Sequence, residues 1–289
     1  MKIPCIQITK ELKRALKQRV TKLKKKKIVP KLVIFLVGES AEQLSFVKIK
    51  QKVARSLGIK FEFVHLKEIP PFEQFANLLR KKAYDPETTG VIIQQPLPSK
   101  LFTETLYNFI PRDKELEGHH PKSPFLPPLG LAVLTVLKHA FQPKISMRHL
   151  FIDERQDFSF FKNALKHKKV VMVGRGLTGG VPIGKTLSYF RVNYLNTNTQ
   201  TDNPNQYFEE ADVIITATGK KVITSEMLKP GVILINVGLR KEGKKLKGDY
   251  DEADVKSVAG CYTETPNGVG PIDVLYLFRN LIDAAEMQR

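Results

Sequence analysis

The sequence predicts an α/β protein built from two halves, the second of which has the strand and helix order of a Rossmann-type domain. Three observations predict this fold. Short apolar, β-branched runs alternate with helical patterns along both halves, an alternation that is typical of parallel sheets flanked by helices. A proline-rich stretch, HHPKSPFLPPLG, separates the halves. In the second half an apolar strand leads directly into a glycine-rich loop.

The first half contains strands and helices in turn. KLVIFLVG is apolar and rich in β-branched residues, which favours a strand. Gly58 follows a helical pattern and is a suitable helix terminator. The predicted elements are a helix at 10–26, a strand at 31–38, a helix at 41–58, a strand at 60–66, a helix at 72–82 and a strand in TGVIIQQPLP that ends in prolines.

The second half repeats the alternation after the proline-rich connection. Its strands are short and apolar, as expected for a parallel sheet that is covered on both faces. The predicted elements are a helix in GLAVLTVLKHAF, a strand in KKVVMVG, a helix from Pro182, a strand in RVNYLNT, a helix at 205–210, strands in DVIITATG and VILINVG, and a helix in the tail IDVLYLFRNLIDAAEMQR.

Composition and length narrow the class of protein. The chain has 289 residues, 42% of them hydrophobic, which is enough for two domains with real cores. Cys5 and Cys261 lie far apart in sequence, so we expect neither a disulfide framework nor a metal cluster, and the cysteine usage fits the cytoplasm. We expect no signal peptide and no membrane span, because the start lacks an apolar core and no run is long enough.

The chain is strongly basic, with a formal charge of +18. Much of the excess lies in KELKRALKQRVTKLKKKK, where Leu12, Leu16, Val20 and Leu23 fall on one helical face. We interpret this segment as an amphipathic helix with a solvated lysine face rather than as a nucleic-acid-binding arm, because no RNA-binding aromatic motif or zinc finger accompanies it. A basic surface also attracts small polyanions.

The stretch VVMVGRGLTGGVPIGKT matches two nucleotide-binding patterns at once. Gly174, Gly176 and Gly179 form G-x-G-x-x-G, the dinucleotide fingerprint, and a G-x-x-x-x-G-K-T phosphate loop begins at Gly179. The first pattern begins where the strand ends, so its glycines permit a tight turn and bring backbone N–H groups close to a pyrophosphate at a helix N-terminus.

The position of the second pattern argues against a phosphate loop. Its first glycine comes six residues after Val173, the end of the strand. Pro182 is a natural first helical residue, so Lys185 would already lie inside the helix. The strand VILIN also ends in Asn236 rather than in an aspartate for magnesium. We favour the dinucleotide interpretation; a glycine-rich turn without a ligand remains the alternative.

The residues after the next strand indicate which dinucleotide is bound. NAD sites usually end this strand in an acid that holds the ribose 2′-hydroxyl. Here RVNYLNTNTQT offers Asn196, Thr197 and Asn198 instead, and Arg175 stands in the glycine loop. The sequence therefore favours NADP over NAD.

In the first half, several polar residues could form a second site. Lys50 lies one helical turn after Phe46, so their side chains share a face. Gln94 ends a buried strand, and Glu115 and Glu117 lie in KELEG. A lysine held by a glutamine near an aromatic ring and a carboxylate could bind and activate a nitrogen heterocycle. Taken singly, each residue is equally well explained as an exposed or core side chain.

The motifs in combination carry more information than any residue alone. In order, SFVKIKQK, GVIIQQPLP, KELEG, VGRGLTGGVP, ADVIITATG, KPGVILINVG, GDY and TPNGVGP resemble the bifunctional methylenetetrahydrofolate dehydrogenase/cyclohydrolase family from about residue 32 to the C-terminus. The resemblance implies an N-terminal α/β folate domain at 1–145, a Rossmann domain at 146–273 and a last helix, 274–289, that returns to the first domain. It also implies a homodimer.

The resemblance implies a reaction and a set of residues. Methylenetetrahydrofolate would be oxidised to methenyltetrahydrofolate with NADP, or less readily NAD, and then hydrolysed to formyltetrahydrofolate, with no metal. The implied catalytic residues are Lys50, Gln94, Phe46 and Glu117. The implied substrate-binding residues are these four with Ile93, Gln95, Pro266, Asn267, Gly268, Val269 and Gly270. The implied cofactor-binding residues are Gly174, Arg175, Gly176, Thr178, Gly179, Thr197, Ala217, Thr218, Gly219, Val237 and Asp273.

Several positions depart from the family pattern. Phe46 stands where the family has a tyrosine, and Glu117 where an aspartate grips the pterin. Gln43, Gly176, Asn267 and Asp273 also replace the usual residues. These departures leave two alternatives open: a dehydrogenase with weak or absent cyclohydrolase activity, and a catalytically weak homologue that binds nucleotide or nucleic acid. The basic surface further suggests a polyglutamylated folate as substrate.

Overall fold

The computed structural model describes residues 1–103, 105–146, 149–243 and 245–288. The chain forms two compact units, one of Met1–Leu12 with Leu129–Asp273 and one of Lys13–Pro128 with Val274–Arg289. These units assign 1–12 and 129–145 to the same unit as the second sheet, whereas the predicted domain boundary placed them in the first domain. The functional division at 145 stays a prediction.

The α/β fold predicted from the sequence is confirmed, and most predicted elements are present. The helices are α1 (Cys5–Lys25), α2 (Ala41–Leu57), α3 (Phe72–Ala83), α4 (Pro128–Phe141), α5 (Gln156–Ala164), α6 (Gly180–Tyr189), α7 (Asn205–Glu210), α8 (Glu252–Val255) and α9 (Val269–Met287). The strands are β1 (Lys31–Val37), β2 (Lys60–Leu66), β3 (Gly90–Ile93), β4 (Val170–Val173), β5 (Leu195–Thr197), β6 (Val213–Thr216), β7 (Ile233–Asn236), β8 (Arg240–Glu242), β9 (Lys245–Lys247) and β10 (Cys261–Tyr262).

The unit formed by 13–128 and 274–289 contains a parallel sheet in the order β2-β1-β3. The central strand, β1, is buried from Leu32 to Val37, which explains its continuous apolar sequence because both faces are covered. Gly58 ends α2 with φ of 77°, a left-handed conformation that glycine adopts without steric cost. In the same unit, the carboxyl end of β3 leads directly into the sequence QQPLP.

Helices α1 and α9 contribute to the same unit through polar contacts. Arg19 donates to Asp283 at 2.6 Å and to Glu286 at 2.8 Å. Asn280 is buried and its Nδ2 donates to the carbonyls of Leu116 at 2.8 Å and Leu126 at 3.1 Å. The C-terminal helix therefore packs against the first half of the chain, as predicted.

Helix α1 begins five residues earlier than predicted. Pro4 precedes its first residue, and Cys5 and Ile8 extend the buried stripe that Leu12 and Leu16 continue. The prediction followed the lysine-rich segment, whereas the apolar stripe alone marks the true start, and a proline suits a helix N-terminus. The predicted apolar face is confirmed.

The second unit contains a parallel sheet in the order β10-β7-β6-β4-β5. Three boundaries differ from prediction: β5 is confined to Leu195–Thr197, α9 starts at Val269, and α6 starts at Gly180 rather than at Pro182. The helix starts early because the Gly176 carbonyl already accepts hydrogen bonds from the amides of Gly179 and Val181. Four further features, α5, the β8–β9 hairpin, α8 and β10, were not predicted from the sequence because they are short or polar.

A buried asparagine joins the ends of the central strands of this sheet. Asn236 Oδ1 accepts from Thr216 Oγ1 at 3.0 Å and from the Asp249 amide at 2.8 Å. Its Nδ2 donates to Gly238 O and to Thr265 Oγ1, each at 2.8 Å. Every polar atom of this amide is satisfied, which is the condition under which a buried polar network stabilises a core.

A search of the described residues found no helix that combines the length and the apolar character needed to cross a membrane.

Candidate functional site

Lys50 and Gln94 meet at the carboxyl end of β3. Lys50 projects from α2 and its Nζ donates to Gln94 Oε1 at 2.7 Å. Gln94 is buried, and its Nε2 donates to the Gln95 carbonyl at 3.0 Å. Because the amide nitrogen is already engaged, the side-chain oxygen must face the lysine. The sequence-based expectation that glutamine holds this lysine thus matches the geometry.

Gln43 secures the backbone that carries Gln94. Its Nε2 donates to Pro96 O at 2.8 Å, with a longer contact of 3.5 Å to Gln94 O. The Gln95–Pro96 peptide bond is cis. Gln43 was noted from the sequence only as a departure from the family pattern. It is buried in the first turn of α2, about two turns before Lys50, and its amide gives it a positioning role that an apolar side chain would lack.

Gln95 closes the same turn from the other side. Its Oε1 accepts from the Leu97 amide at 2.9 Å, and its Nε2 donates to the hydroxyl of Tyr107 at 3.0 Å. The buried Ile93, the last residue of β3, lies in the core beneath this turn. Both residues were predicted to contact substrate; the structure shows Gln95 as a brace of the turn and Ile93 as a core residue.

Phe46 lies one turn before Lys50 on α2 and is partly buried. Residues four apart on a helix share a face, so the Phe46 and Lys50 side chains leave α2 on the same side. The ring carries no hydroxyl, so it brings packing surface but no proton donor to this face. Its predicted role as a stacking platform stays a prediction.

Glu115, named with Glu117 among the polar residues of a possible second site, supports that site rather than acting in it. It is 1% exposed, and its two oxygens accept from the amides of Glu117 at 2.8 Å and His120 at 3.1 Å. These bonds hold the turn that presents Glu117. The signal in the sequence was weak, because an acid two residues before another acid is more often a solvated pair.

Burial raises the pKa of the Glu117 carboxyl group to about 7, because it disfavours the charged form. The positive charge of Lys50 opposes this effect and favours ionisation. The side chain keeps 25% of its surface exposed, so the group is surrounded by protein and yet reachable. Burial also raises the pKa of Glu115, with His119 acting in the opposite direction. Perturbed acids of this kind are typical of functional sites.

The glycine loop of the second unit has the geometry of a dinucleotide fingerprint. Gly174 has φ of 115° and its amide donates to Thr197 O at 2.9 Å. A Cβ there would lie 2.7 Å from the Ala217 carbonyl, so no other residue fits. Gly179 is the residue before α6, and a Cβ on Gly176 would meet only open space. The loop therefore leaves an open surface in front of a helix N-terminus, as a pyrophosphate requires.

The competing phosphate-loop interpretation is wrong. Lys185 is in the second turn of α6. The Thr186 hydroxyl, which would bind magnesium in a phosphate loop, is buried and donates to Pro182 O at 3.0 Å. A Cβ on Gly184 would lie 2.5 Å from the Tyr194 hydroxyl. This part of the pattern is therefore helix packing.

Arg175 and Asn196 form a polar pair beside the glycine loop. Arg175 is exposed and its Nε donates to Asn196 Oδ1 at 3.1 Å, while Asn196 Nδ2 donates to Gly174 O at 3.0 Å. Thr197 is different: its hydroxyl is buried and has no hydrogen-bond partner within the described part of the chain. Arg175 and Asn196 are thus better placed than Thr197 to meet a ribose phosphate. Thr178, also predicted, is exposed in the loop.

A buried aspartate organises the second predicted cofactor segment, Ala217-Thr218-Gly219. Asp249 accepts from the amides of Thr218 at 2.7 Å and Gly219 at 2.9 Å and is itself fully buried. Burial raises its pKa. Val237, the adjacent predicted residue, bonds through its amide to Thr216 O at 2.8 Å. Sequence reasoning missed Asp249 because one acid in GDY resembles a surface turn.

The loop predicted to bind substrate, 266–270, follows a cis Thr265–Pro266 bond. Asn267 is exposed with φ of 76°, and Gly268 lies so close to Glu264 O that a Cβ would approach it to 2.3 Å. Val269 is buried at the start of α9, whereas Pro266 and Gly270 are exposed. Asp273 lies in the first turns of α9 and is partly exposed. The loop belongs to the unit that holds the glycine loop, whereas Lys50, Gln94 and Glu117 belong to the other.

Comparison with known proteins agrees with these two sets of residues. The model described as tetrahydrofolate dehydrogenase/cyclohydrolase, catalytic domain, matches residues 3–117. The model described as tetrahydrofolate dehydrogenase/cyclohydrolase, NAD(P)-binding domain, matches residues 158–289. Lys50, Gln94 and Glu117 lie in the first match and the glycine loop in the second.

Individual relatives span the whole chain. The bifunctional protein FolD of Staphylococcus carnosus (strain TM300) is 33% identical over 285 residues, which cover 98% of this chain and 96% of that protein. The crystal structure of FolD, a methylenetetrahydrofolate dehydrogenase/cyclohydrolase from Campylobacter jejuni, has a TM-score of 0.87 at 27% identity and covers 100% of this chain and 99% of its own. A 5,10-methylenetetrahydrofolate dehydrogenase from the silkworm Bombyx mori has a TM-score of 0.81 at 25% identity, with 98% and 96% covered. The chain belongs to the tetrahydrofolate dehydrogenase/cyclohydrolase family.

Proposed function

We propose that this protein catalyses the NADP-dependent oxidation of methylenetetrahydrofolate to methenyltetrahydrofolate and the hydrolysis of the product to formyltetrahydrofolate. Family membership supports both activities. The observation that carries the proposal is the hydrogen bond of 2.7 Å between Lys50 and Gln94 at the end of β3. It fixes an ammonium group that acts on the titratable carboxyl of Glu117, on the α2 face that also carries Phe46.

The cofactor half fits a phosphorylated dinucleotide. Gly174 and Gly179 leave room for a pyrophosphate at the start of α6, and Arg175 presents a guanidinium group, which forms charge-assisted hydrogen bonds with phosphates. β5 ends in Thr197 and is followed by Asn198, so no acid stands at the end of this strand to hold a ribose 2′-hydroxyl. When bound, the nicotinamide would accept the hydride of the methylene carbon. The residues of this chain supply orientation and, through Arg175, selection for NADP.

In the folate half, Lys50 and Glu117 have separate roles. Glu117, ionised above about neutral pH, accepts hydrogen bonds from N–H groups of the pterin ring. Lys50 acts on the reacting bridge: it moves the proton of the attacking water during hydrolysis, while Gln94 restricts its position. Phe46 packs on the folate ring.

The substitution Lys50→Met tests this assignment. Hydrolysis of methenyltetrahydrofolate should fall at least about 100-fold, the usual size of general acid–base contributions. NADP affinity, measured by calorimetry, should be unchanged. Lys48→Met is the matched control, because Lys48 is an exposed lysine on the same helix and should keep both properties. Unchanged hydrolysis in Lys50→Met would refute the assignment.

A second candidate function is a dehydrogenase with weak or absent hydrolysis. The absence of a hydroxyl from Phe46, on the α2 face that carries Lys50, favours it, because proton handling near the lysine loses one partner. In that case methenyltetrahydrofolate accumulates during turnover. Phe46→Tyr should then raise hydrolysis relative to oxidation, whereas an unchanged ratio of the two rates would exclude this account.

Further properties belong to the proposal. We expect a homodimer, action in the cytoplasm and a polyglutamylated substrate, whose carboxylates suit a chain with a charge of +18. If the tail is bound electrostatically, the KM for the pentaglutamate should rise with salt more steeply than the KM for the monoglutamate. Equal salt dependence of the two substrates would contradict electrostatic binding of the tail.

A further inference from the structure

His119 lies between an aromatic ring and two carboxylates. Its imidazole stacks on Tyr107 with ring centroids 4.5 Å apart and planes inclined by 21°. Its Nε2 lies 3.8 Å from Glu117 Oε2. That distance exceeds a hydrogen bond, so the attraction between the two groups depends on charge rather than on a shared proton.

The stacked ring is held in place by the same turn that positions Gln94. The Tyr107 hydroxyl accepts from Gln95 Nε2 at 3.0 Å, and Gln95 Oε1 is fixed by the Leu97 amide at 2.9 Å. This hydrogen bond orients the Tyr107 ring, and the His119 imidazole stacks on it. A chain of contacts leads from the end of β3 through these rings to Glu117.

The titratable groups around His119 include two carboxylates. Glu115 and Glu117 flank it on its own loop, with His120 next in sequence, while Tyr107 faces it from the 106–109 turn and Lys50 approaches Glu117 from α2. The charge of Glu117 disfavours ionisation of Glu115 and so raises its pKa, whereas His119 lowers it. A cation at His119 also lies 3.8 Å from Glu117 and attracts its carboxylate.

We propose that His119 is a positioning residue that, as an imidazolium stacked on Tyr107, attracts the Glu117 carboxylate and holds the outer end of that side chain in place. This inference rests on the proposed function, in which Glu117 binds the pterin. Its significance follows from the length of Glu117, which has one methylene more than an aspartate and so more rotamers to restrict. His119 restricts the outer end of that side chain.

The substitution His119→Phe separates charge from packing, because phenylalanine keeps the stack and removes the cation. We expect the KM for methylenetetrahydrofolate to rise about tenfold, which corresponds to about 1.4 kcal/mol. The KM for NADP and the melting temperature should not change. His167→Phe is the control, since His167 is exposed and lies in the other unit. A merely structural role would instead lower the melting temperature and change both KM values.

A second measurement does not depend on activity. The ring proton of His119 can be followed by NMR in the wild-type protein and in Glu117→Gln across the pH range. Loss of the neighbouring negative charge should move the titration midpoint of His119 to lower pH. An unchanged midpoint would overturn the proposal, as would an unchanged folate KM in an active His119→Phe. A wild-type protein without activity would refute the proposed function, and the NMR result would still decide the pairing.

Discussion

Replacing Glu117 with glutamine tests the electrostatics of the folate half most sharply. The substitution removes one titratable carboxyl at nearly constant volume, so packing changes little. In the folded protein this carboxyl has its pKa raised from an ordinary 4.5 to about 7 because it is buried. Glutamine has no charged form to penalise. The variant should lose folate binding and yet become more stable than the wild-type protein where Glu117 would be ionised.

The sign and size follow from proton linkage. Between the two pKa values the folded state holds a proton that the unfolded state releases, so folding is favoured at low pH and this stability is lost as the pH rises through the window. A difference of about 2.5 units corresponds to about 3 kcal/mol once both states are ionised. The loss begins near the unfolded value of 4.5 and is complete above about pH 7 to 8.

Urea unfolding of both proteins at about pH 4 and about pH 8 measures this effect. The free-energy difference between variant and wild type should shift in favour of the variant by about 3 kcal/mol from acid to alkaline conditions. Glu87→Gln is the control, because Glu87 is 71% exposed in the same unit and the substitution removes a carboxyl that is not buried. A variant-minus-wild-type difference that does not change with pH would refute the reasoning.

Three further substitutions test the rest of the account. Arg175→Ala should raise the KM for NADP about tenfold or more and leave the KM for NAD unchanged, because the lost contact is to the 2′-phosphate. Lys162→Ala, at an exposed lysine, serves as control. Equal effects on both cofactors would contradict the assignment. Gly174→Ala should destabilise the protein by at least about 2 kcal/mol, since φ is 115° and the new Cβ would meet the Ala217 carbonyl. Thermal unfolding measures this loss of stability, and an unchanged stability would be inconsistent with this loop geometry. Asn280→Leu should cost about 2 kcal/mol in urea unfolding because two buried carbonyls lose their donor, and an unchanged midpoint would show that those carbonyls find other partners.

The parts of the fold that were predictable are those where local pattern and burial agree. β1 is apolar throughout because both of its faces are covered. The glycine loop was predictable because its steric demands fall on consecutive residues at the end of a strand. By contrast, β10 consists of two residues and is defined by its pairing with β7, so its sequence carries almost no signal.

In the site, the residues that act directly were easier to identify than those that support them. Lys50 and Gln94 were identified through motifs, and their hydrogen bond joins residues 44 positions apart in sequence. The supporting roles of Glu115 and Asp249 were not predicted, because each acts by accepting backbone N–H groups, and any short polar side chain in a loop offers that possibility. The effect depends on burial, which sequence patterns in irregular segments do not reveal.

The most direct test of the central claim is a spectrophotometric assay with methylenetetrahydrofolate and NADP that follows NADPH and methenyltetrahydrofolate separately. The account predicts that NADPH forms and that the methenyl product does not accumulate, because hydrolysis removes it. Accumulation of the methenyl product would support the dehydrogenase with impaired hydrolysis. Absence of NADH and NADPH with either cofactor would contradict the account and favour a binding protein.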